Sequence, residues 1–372
     1  MAEIWLILCI ITIACYLLLV LFCRYGWYKL RNNIKKESLR GISLLIPFRD
    51  ESSNLPALVS RLRKLDYPPG MLEILFIDDH STDNSAQILE QLARSMPFGS
   101  SILSLSEEVS GKRAALRAGI ERAGFDTILT TDADCEPSSG WVRSMSSALH
   151  GDYRLVCGPV QITTGKSLFH SLQELELMPV MAVTAGFAGT GQPVMANGAS
   201  LLFLKEDFCN YLEEGFHPGS SGDDTWFLLY MKKQFQGSVC FNASSESIVF
   251  TAPLADLKEF IQQRRRWTSK SMYYRDPALI MLGLLTALIN LLLPATALLG
   301  FIYPQLLPAA LAFLVLKTLL DIILLQPVLT FFRTWKLIWL VPLLEIIYPV
   351  YSVVLLFFLT NGKYNWKNRS LS

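Results

Sequence analysis

The stretch "GISLLIPFRDESSNLPALVSRLRKLDYPPGMLEILFIDDHSTDNS" (residues 41–85) decides the fold. Its first apolar run, ISLLIP (42–47), reads as a buried strand, and apolar residues at helical spacing follow over 54–65. Pro-Gly punctuation at YPPG (67–70) ends that helix, and a second buried run, EILFID (73–78), completes a strand–helix–strand unit. The pattern continues along the chain. SSILSL (100–105), DTILTT (126–131) and RLVCGPV (154–160) read as strands, while 82–95, 111–123 and 138–149 carry helical spacing. Such alternation predicts an α/β domain with a mostly parallel sheet and helices on both faces. Sheets of this kind bind ligands beyond the carboxyl ends of their strands. The polar residues gather there: RDE after the first strand, DDHSTD after the second, DAD after the fourth.

The whole chain is too oily for an ordinary soluble enzyme, with 372 residues, 51% of them hydrophobic, and a mean hydropathy of +0.34. Its length suits about two domains. The net charge of +1 gives no global field, so nothing points to nucleic acid or to an acidic partner. The apolar residues concentrate at the two ends. IWLILCIITIACYLLLVLFC (4–23) has the length of a membrane span. Glu3 precedes it without Lys or Arg, and no small-residue cleavage site follows, so it reads as an uncleaved anchor over 1–24. Arg24, Lys29, Arg31, Lys35 and Lys36 follow, and the positive-inside rule then places the central domain, 40–254, in the cytoplasm. The seven cysteines show no CxxC pair and no His-rich spacing, which speaks against a zinc site or a disulfide framework and fits a reducing cytosol.

Three acidic clusters stand at predicted strand or helix ends. In LFIDDHSTDNS, Asp78 and Asp79 lie where a strand runs out, with Ser81, Thr82 and Asp83 able to cap the next helix. A capped turn and a ligand pocket both fit that arrangement. No glycine-rich phosphate loop accompanies it, which argues against a dinucleotide or P-loop fold. In ILTTDADCEP, Asp132 and Asp134 are two apart in extended chain and so share a face. Their mutual repulsion calls for a divalent cation, and a hard cation such as Mg²⁺ favours one or two carboxylates completed by phosphate oxygens. In GSSGDDTWFLLYM, Asp223 and Asp224 open a helix, either as residues favoured there by the macrodipole or as a base for a hydroxyl proton.

The ordered set IPFRDE, IDDHSTD, GKRAALRAGI, DAD, GDD and QQRRRW resembles the membrane-attached family-2 glycosyltransferases, which have the GT-A fold. The resemblance covers about residues 41–267. It implies that Pro47, Arg49 and Glu51, with Asp78 or Asp79, line the pocket for the donor's base and ribose, and that Lys112 lies on the nucleotide side. It implies that Asp132 and Asp134 form the metal motif, with Asp134 the direct ligand of a Mg²⁺ or Mn²⁺ ion bound to the diphosphate. Asp224, or Asp223, would be the general base. Gln263, Arg266 and Trp267 match the QxxRW motif, in which Arg266 would bind the diphosphate and Trp267 would carry the acceptor. VMANGASLLFLKEDF (194–208) resembles the acceptor-side segment, making Asn197 and Gly198 acceptor candidates, although Ser200 stands where Asn is frequent. The chain also departs from the family pattern with RDE for Asn-Glu and GDD for Glu-Asp.

The chemistry agrees. Displacement at an anomeric carbon expels a nucleoside diphosphate, and a metal with a guanidinium aimed at the growing charge stabilises that transition state. One base and no evident second carboxylate partner favour single displacement with inversion.

Around the QxxRW motif, residues 255–276 suit an amphipathic helix at the membrane interface, with Arg264 and Arg265 read as a positive-inside flank. The region 278–360 carries three apolar runs at about 279–302, 306–329 and 337–359, followed by a basic tail over 361–372. Three spans would put Lys363, Lys367 and Arg369 outside. The last run, with Pro342, Glu345 and Pro349, is therefore the suspect for a re-entrant or interfacial hairpin. Lys317 and Asp321, four apart on one helix, read as neutralising each other. The expected protein is an integral enzyme of a bacterial-type cell membrane. It would transfer a sugar, with UDP the expected nucleotide, to the hydroxyl of a membrane-associated lipid or glycan acceptor. A short processive polysaccharide synthase and a non-catalytic scaffold subunit are the alternatives.

Overall fold

The computed structural model describes residues 2–31, 38–165, 167–215, 223–271, 273–359, 364–366 and 369–371. They fall into two compact units: residues 29–163, 191–253 and 365–372 in one, and 1–28, 164–190 and 254–364 in the other.

The first unit is an α/β domain. Its elements in chain order are β1 (Ile42–Phe48), α2 (Leu55–Leu62), β2 (Leu72–Asp78), α3 (Ser85–Ala93), β3 (Gly99–Ser104), α4 (Lys112–Arg122), β4 (Thr127–Thr130), β5 (Cys135–Pro137), α5 (Trp141–Ala148), β6 (Leu155–Cys157), β7 (Val160–Ile162), β8 (Leu201–Leu204), α7 (Lys205–Glu213), α8 (Asp223–Gln234), β9 (Val239–Phe241) and β10 (Val249–Thr251). The main sheet has the order β3-β2-β1-β4-β8-β6-β9. The pairs β1–β2, β2–β3, β1–β4 and β6–β9 are parallel, while β8 runs antiparallel to both β4 and β6. The sheet is thus mainly parallel. Strand β1 is central and almost wholly buried, which is why its sequence is a continuous apolar run and does not alternate. Its polar exception, Ser43, donates to Glu73 on β2 at 2.5 Å, and Glu73 in turn accepts from Gly124 N at 2.6 Å. That link ties β1, β2 and the α4–β4 turn together.

The run 154–160, expected to be one strand, is two. Residues 155–157 join the main sheet, whereas β7 belongs to a second sheet of order β5-β10-β7. Gly158 and Pro159 divide them. A Cβ at Gly158 would lie 1.9 Å from Ser200 Oγ, so the chain turns there against β8.

The second unit comprises α1 (Ala2–Arg31, up to Tyr28), α6 (Leu168–Gly189), α9 (Leu257–Ser271), α10 (Pro277–Leu299), α11 (Leu307–Phe331) and α12 (Val341–Leu359). Four segments are long and apolar enough to cross a membrane: Ala2–Leu30, Pro277–Leu299, Pro304–Phe331 and Trp335–Val354. Helix α1 runs past the expected anchor 1–24 to Arg31, and Arg24 Nη1 donates to Gln326 Oε1 at 2.6 Å. Helix α6 had no counterpart in the sequence reading. It packs on α1 with the backbones in contact: a Cβ on Gly26 would lie 1.8 Å from Gly186 O, and one on Gly189 would lie 2.1 Å from Gly26 O. Trp27 Nε1 also donates to Ala182 O at 3.1 Å. A contiguous soluble region over 40–254 is therefore interrupted by a segment that packs with the apolar helices.

From Val341 to Leu359 the final apolar run is a single α-helix and not a hairpin, and Pro349 is accommodated inside it. Glu345 is buried because Lys317 on α11 donates to its Oε2. Lys317 also donates to Asp321 Oδ2 at 2.9 Å, and Tyr16 of α1 donates to Asp321 Oδ1. The expected two-residue neutralisation is thus a four-residue network joining three helices. Past α12, Tyr364–Trp366 and Arg369–Leu371 form a short two-stranded ladder.

Candidate active site

Strand direction assembles the site. Since β1, β2 and β4 are parallel, Arg49–Glu51, Asp79 and Asp132–Asp134 all emerge at one edge of the sheet. Strand β8 is antiparallel to β4, with Leu201 opposite Thr130, so the residues just before β8 reach that same edge. Asn197 and Gly198 arrive there from sixty-odd positions further along the chain.

On the β1–β2 side, the aspartates also build the loops. Asp78 Oδ1 accepts from Ser81 N at 2.9 Å, and Asp79 Oδ2 accepts from Gly111 N at 3.0 Å, which places the start of α4. Arg49 Nη1 donates to the Asp79 carbonyl at 2.7 Å. Asp50 sits at φ +50°, and its Oδ1 accepts from Thr82 N at 2.7 Å. This explains Asp in the RDE turn: a short acceptor side chain tolerates the left-handed region and closes a local hydrogen bond. Glu51 holds Asn54 through its Oε2 at 2.6 Å, and its own N–H donates to Ser85 Oγ at 2.8 Å. Pro47 lies opposite Ile77 within the β1–β2 ladder. The capped-turn reading of the DDHSTD loop describes these bonds, which leave the loop rigid beside the strand ends.

Next to it, Lys112, the first residue of α4, donates to Asp132 Oδ1 as an ion pair. Burial alone would push the Lys112 ammonium down, but the Asp132 and Asp224 carboxylates outweigh it and hold the group above its usual range. Asp134 is exposed to solvent on one side yet crowded by protein atoms on the other. That desolvation, with the like charges of Asp132 and Glu51, raises its carboxyl above the usual range. Ligand atoms of Asp132, Asp134 and Cys135 lie within 4.8 Å of one another. Oxygens so placed suit one divalent cation bound at about 2.0–2.6 Å, which would also relieve the repulsion on Asp134. Cys135 was not among the expected site residues. It is buried, and its Sγ donates to Asp134 Oδ1 at 3.5 Å, so it supports the carboxylate.

Asp224 closes the other side. Its Oδ2 accepts from Gly198 N at 3.0 Å and its Oδ1 from Thr225 N at 2.8 Å. Gly198 O accepts from Thr130 Oγ1 at 2.7 Å, and Asn197 Oδ1 accepts from Ala199 N at 3.0 Å. A Cβ on Gly198 would come within 3.2 Å of Lys112 Nζ and 3.7 Å of Asp224 Oδ2, so Lys112, Gly198 and Asp224 are neighbours. Ser200 replaces the expected Asn because the position is fully buried and its hydroxyl accepts from Trp141 Nε1 at 3.0 Å, with Gly158 pressed against it. The side chain of Asp223 and residues 216–222 lie outside the described residues.

The structure thus brings Lys112, Asp132, Asp134, Cys135, Gly198 and Asp224 together within the α/β unit. Gln263, Arg266 and Trp267 belong to the other unit, on α9, where their i, i+3 and i+4 spacing puts them on one side of the helix. Arg264 is not a solvated flanking charge. Its side chain is 3% exposed and ion-paired to Glu176 of α6, with α9 packed against α12 and the Phe260 ring edge-on to Phe169 of α6.

Residues 43–207 match the model of the family described as "Glycosyl transferase family 2". The chain carries a family-2 glycosyltransferase domain. The glycosyltransferase region is similar to undecaprenyl-phosphate 4-deoxy-4-formamido-L-arabinose transferase of Pectobacterium atrosepticum, at 33% identity over 37% of this chain and 41% of that protein. It is also similar to glycosyltransferase AglE of Haloferax volcanii, at 28% identity over 33% of this chain and 40% of that one. The matches thus span about two fifths of the length of these curated relatives. Among solved structures, a mannosyltransferase of Pyrobaculum calidifontis, in complex with GDP-Man and Mn²⁺, aligns over 96% of this chain and 99% of its own at a TM-score of 0.56 and 15% identity. That likeness shows a shared GT-A glycosyltransferase fold.

Proposed function

We propose that the protein is a membrane glycosyltransferase that moves a sugar from a nucleotide-diphosphate donor to a lipid-held acceptor in a single, inverting displacement. The observation that carries this reading is the convergence of Asp132, Asp134, Lys112 and Asp224 at one sheet edge of a family-2 domain. UDP is the proposed nucleotide. Asp134, with Asp132, would hold a Mg²⁺ or Mn²⁺ ion, which when bound neutralises the diphosphate as it departs. The Mn²⁺ in the Pyrobaculum mannosyltransferase supports a divalent metal. Arg49, Glu51, Asp78 and Asp79 line the nucleotide pocket in this reading, backed by Pro47. Lys112 keeps Asp132 oriented and adds positive charge beside the leaving group.

The motif residues Gln263 and Arg266 are assigned to the diphosphate and Trp267 to the acceptor, on the strength of the QxxRW pattern. Asn197 and Gly198 contribute to the acceptor side. Asp224 has both oxygens engaged by backbone N–H groups, which fix the orientation of its carboxyl group. It serves as base when the acceptor is a hydroxyl. The named activity of the Pectobacterium relative favours a polyprenyl phosphate acceptor, whose oxygen is already anionic and needs no base. The four apolar segments support an integral membrane location, with the α/β unit on the cytoplasmic side where nucleotide sugars are available.

The test is direct. Membranes containing the full chain are incubated with labelled UDP- and GDP-sugars and either undecaprenyl phosphate or endogenous lipid, and lipid products are separated from polymer. Asp224→Asn should abolish transfer to a hydroxyl acceptor while nucleotide binding persists. Transfer to undecaprenyl phosphate should survive the same change. Labelled polymer in place of a single-sugar lipid would select the processive synthase, and no product with any donor would select the scaffold.

A further inference from the structure

Arg264 lies between the residues of the QxxRW motif and holds two of them. Its Nη1 donates to Gln263 Oε1, and its guanidinium sits 4.3 Å from the Trp267 ring centroid, with the Phe260 ring at 4.4 Å. A guanidinium packed on aromatic faces is held flat as well as charged. The rest of its donor fork is spent on Glu176 of α6: Nε reaches Oε1 at 2.9 Å and Oε2 at 3.0 Å, and Nη2 also donates to Oε2. Glu176 is fixed in turn by Tyr351 of α12, whose hydroxyl donates to its Oε1 at 3.1 Å. The two side chains are 3% and 13% exposed, so water does not compete for these bonds. The Glu176 carboxylate is therefore the anchor through which a buried cation orders Gln263 and Trp267.

We propose that Glu176 is a positioning residue for acceptor recognition. Through Arg264 it fixes the orientation of Gln263 and of the Trp267 indole, and through Tyr351 it ties that orientation to the last long apolar helix. The inference rests on the acceptor role proposed for Trp267. Glu176 touches neither substrate in this scheme; it sets the geometry of groups that do.

The experiment uses the full chain in lipid nanodiscs, labelled with 5-fluorotryptophan, the Trp267 line in the fluorine spectrum being assigned with Trp267→Phe. Glu176→Gln should shift and broaden that line. It should also raise KM for undecaprenyl phosphate by about 10- to 100-fold, the scale of a small misplacement of a positioning group, while metal-dependent UDP binding weakens by less than about tenfold, since Gln263 is the one diphosphate group disturbed. The exchange variant Glu176→Arg with Arg264→Glu restores the ion pair, but leaves no guanidinium on α9 to face Trp267 and Gln263. Its Tm should recover towards wild type while the Trp267 line and the acceptor KM do not. An unmoved Trp267 line in Glu176→Gln, or recovery of line and KM together with Tm in the exchange variant, overturns the proposal. If the wild-type chain transfers no sugar at all, the glycosyl-transfer reading fails, and the fluorine line still decides whether Glu176 orders the motif.

Discussion

Replacing Lys317 with Met tests the charge network among the apolar helices. Lys317, Asp321 and Glu345 have side chains 7%, 16% and 3% exposed, so the ammonium is the cation facing two buried acidic side chains. Methionine has nearly the length and volume of the lysine stem, so little cavity is created and the change is mainly electrostatic. Breaking a buried pair by removing one partner costs about 3–5 kcal/mol, because the remaining charge loses its counter-ion. At roughly 2–4 °C per kcal/mol for a domain of this size, Tm should fall by roughly 6–20 °C. The assay is thermal unfolding followed by tryptophan fluorescence in one detergent at neutral pH. The triple change Lys317→Met, Asp321→Asn and Glu345→Gln removes the orphaned charges and should recover at least half of the loss. A Lys317→Met protein melting within 2 °C of wild type would refute the reasoning, since it would mean that water or lipid headgroups already solvate these groups.

Other consequences follow from the same geometry. Asp134→Ala should remove metal-dependent UDP binding in a calorimetric titration, whereas Cys135→Ser, which keeps a donor to Asp134, should change Mn²⁺ affinity by less than about tenfold. Gly26→Leu should prevent the close approach of α1 and α6, since even a Cβ would lie 1.8 Å from Gly186 O; loss of the folded fraction on size-exclusion chromatography is the readout. Partial desolvation pulls the Asp83 carboxyl up, but hydrogen bonds from Ser85 and Ser52 outweigh it and hold it at about 2. A carboxyl depressed in the folded state stabilises above its unfolded value of about 3.9 and loses that effect as pH falls towards 2. The Tm gap between wild type and Asp83→Asn should therefore be constant above about pH 5 and shrink below about pH 4. A gap independent of pH would show that Asp83 acts by shape alone.

The sequence by itself determined the α/β core, because β1, β2 and β4 are short apolar runs whose only stable placement is the buried middle of a parallel sheet. That placement also fixed where RDE, DD and DAD emerge, so the carboxylates at those strand ends were readable from spacing. The apolar ends of the chain were equally legible, since a membrane span is a matter of length and composition. What only the tertiary structure decided depends on contacts between residues far apart in the chain. Strand β8 is four residues long and carries no periodic signal, yet its antiparallel direction is what delivers Gly198 to Lys112 and Asp224. Glu345 looked like a flaw in a span until Lys317 on another helix explained it. Arg264 read as one more surface cation in a run of three, and no local pattern could have named Glu176, 88 residues earlier, as its partner. Pairing of buried charges is a property of packed helices, and a linear pattern records only the neighbours along the chain.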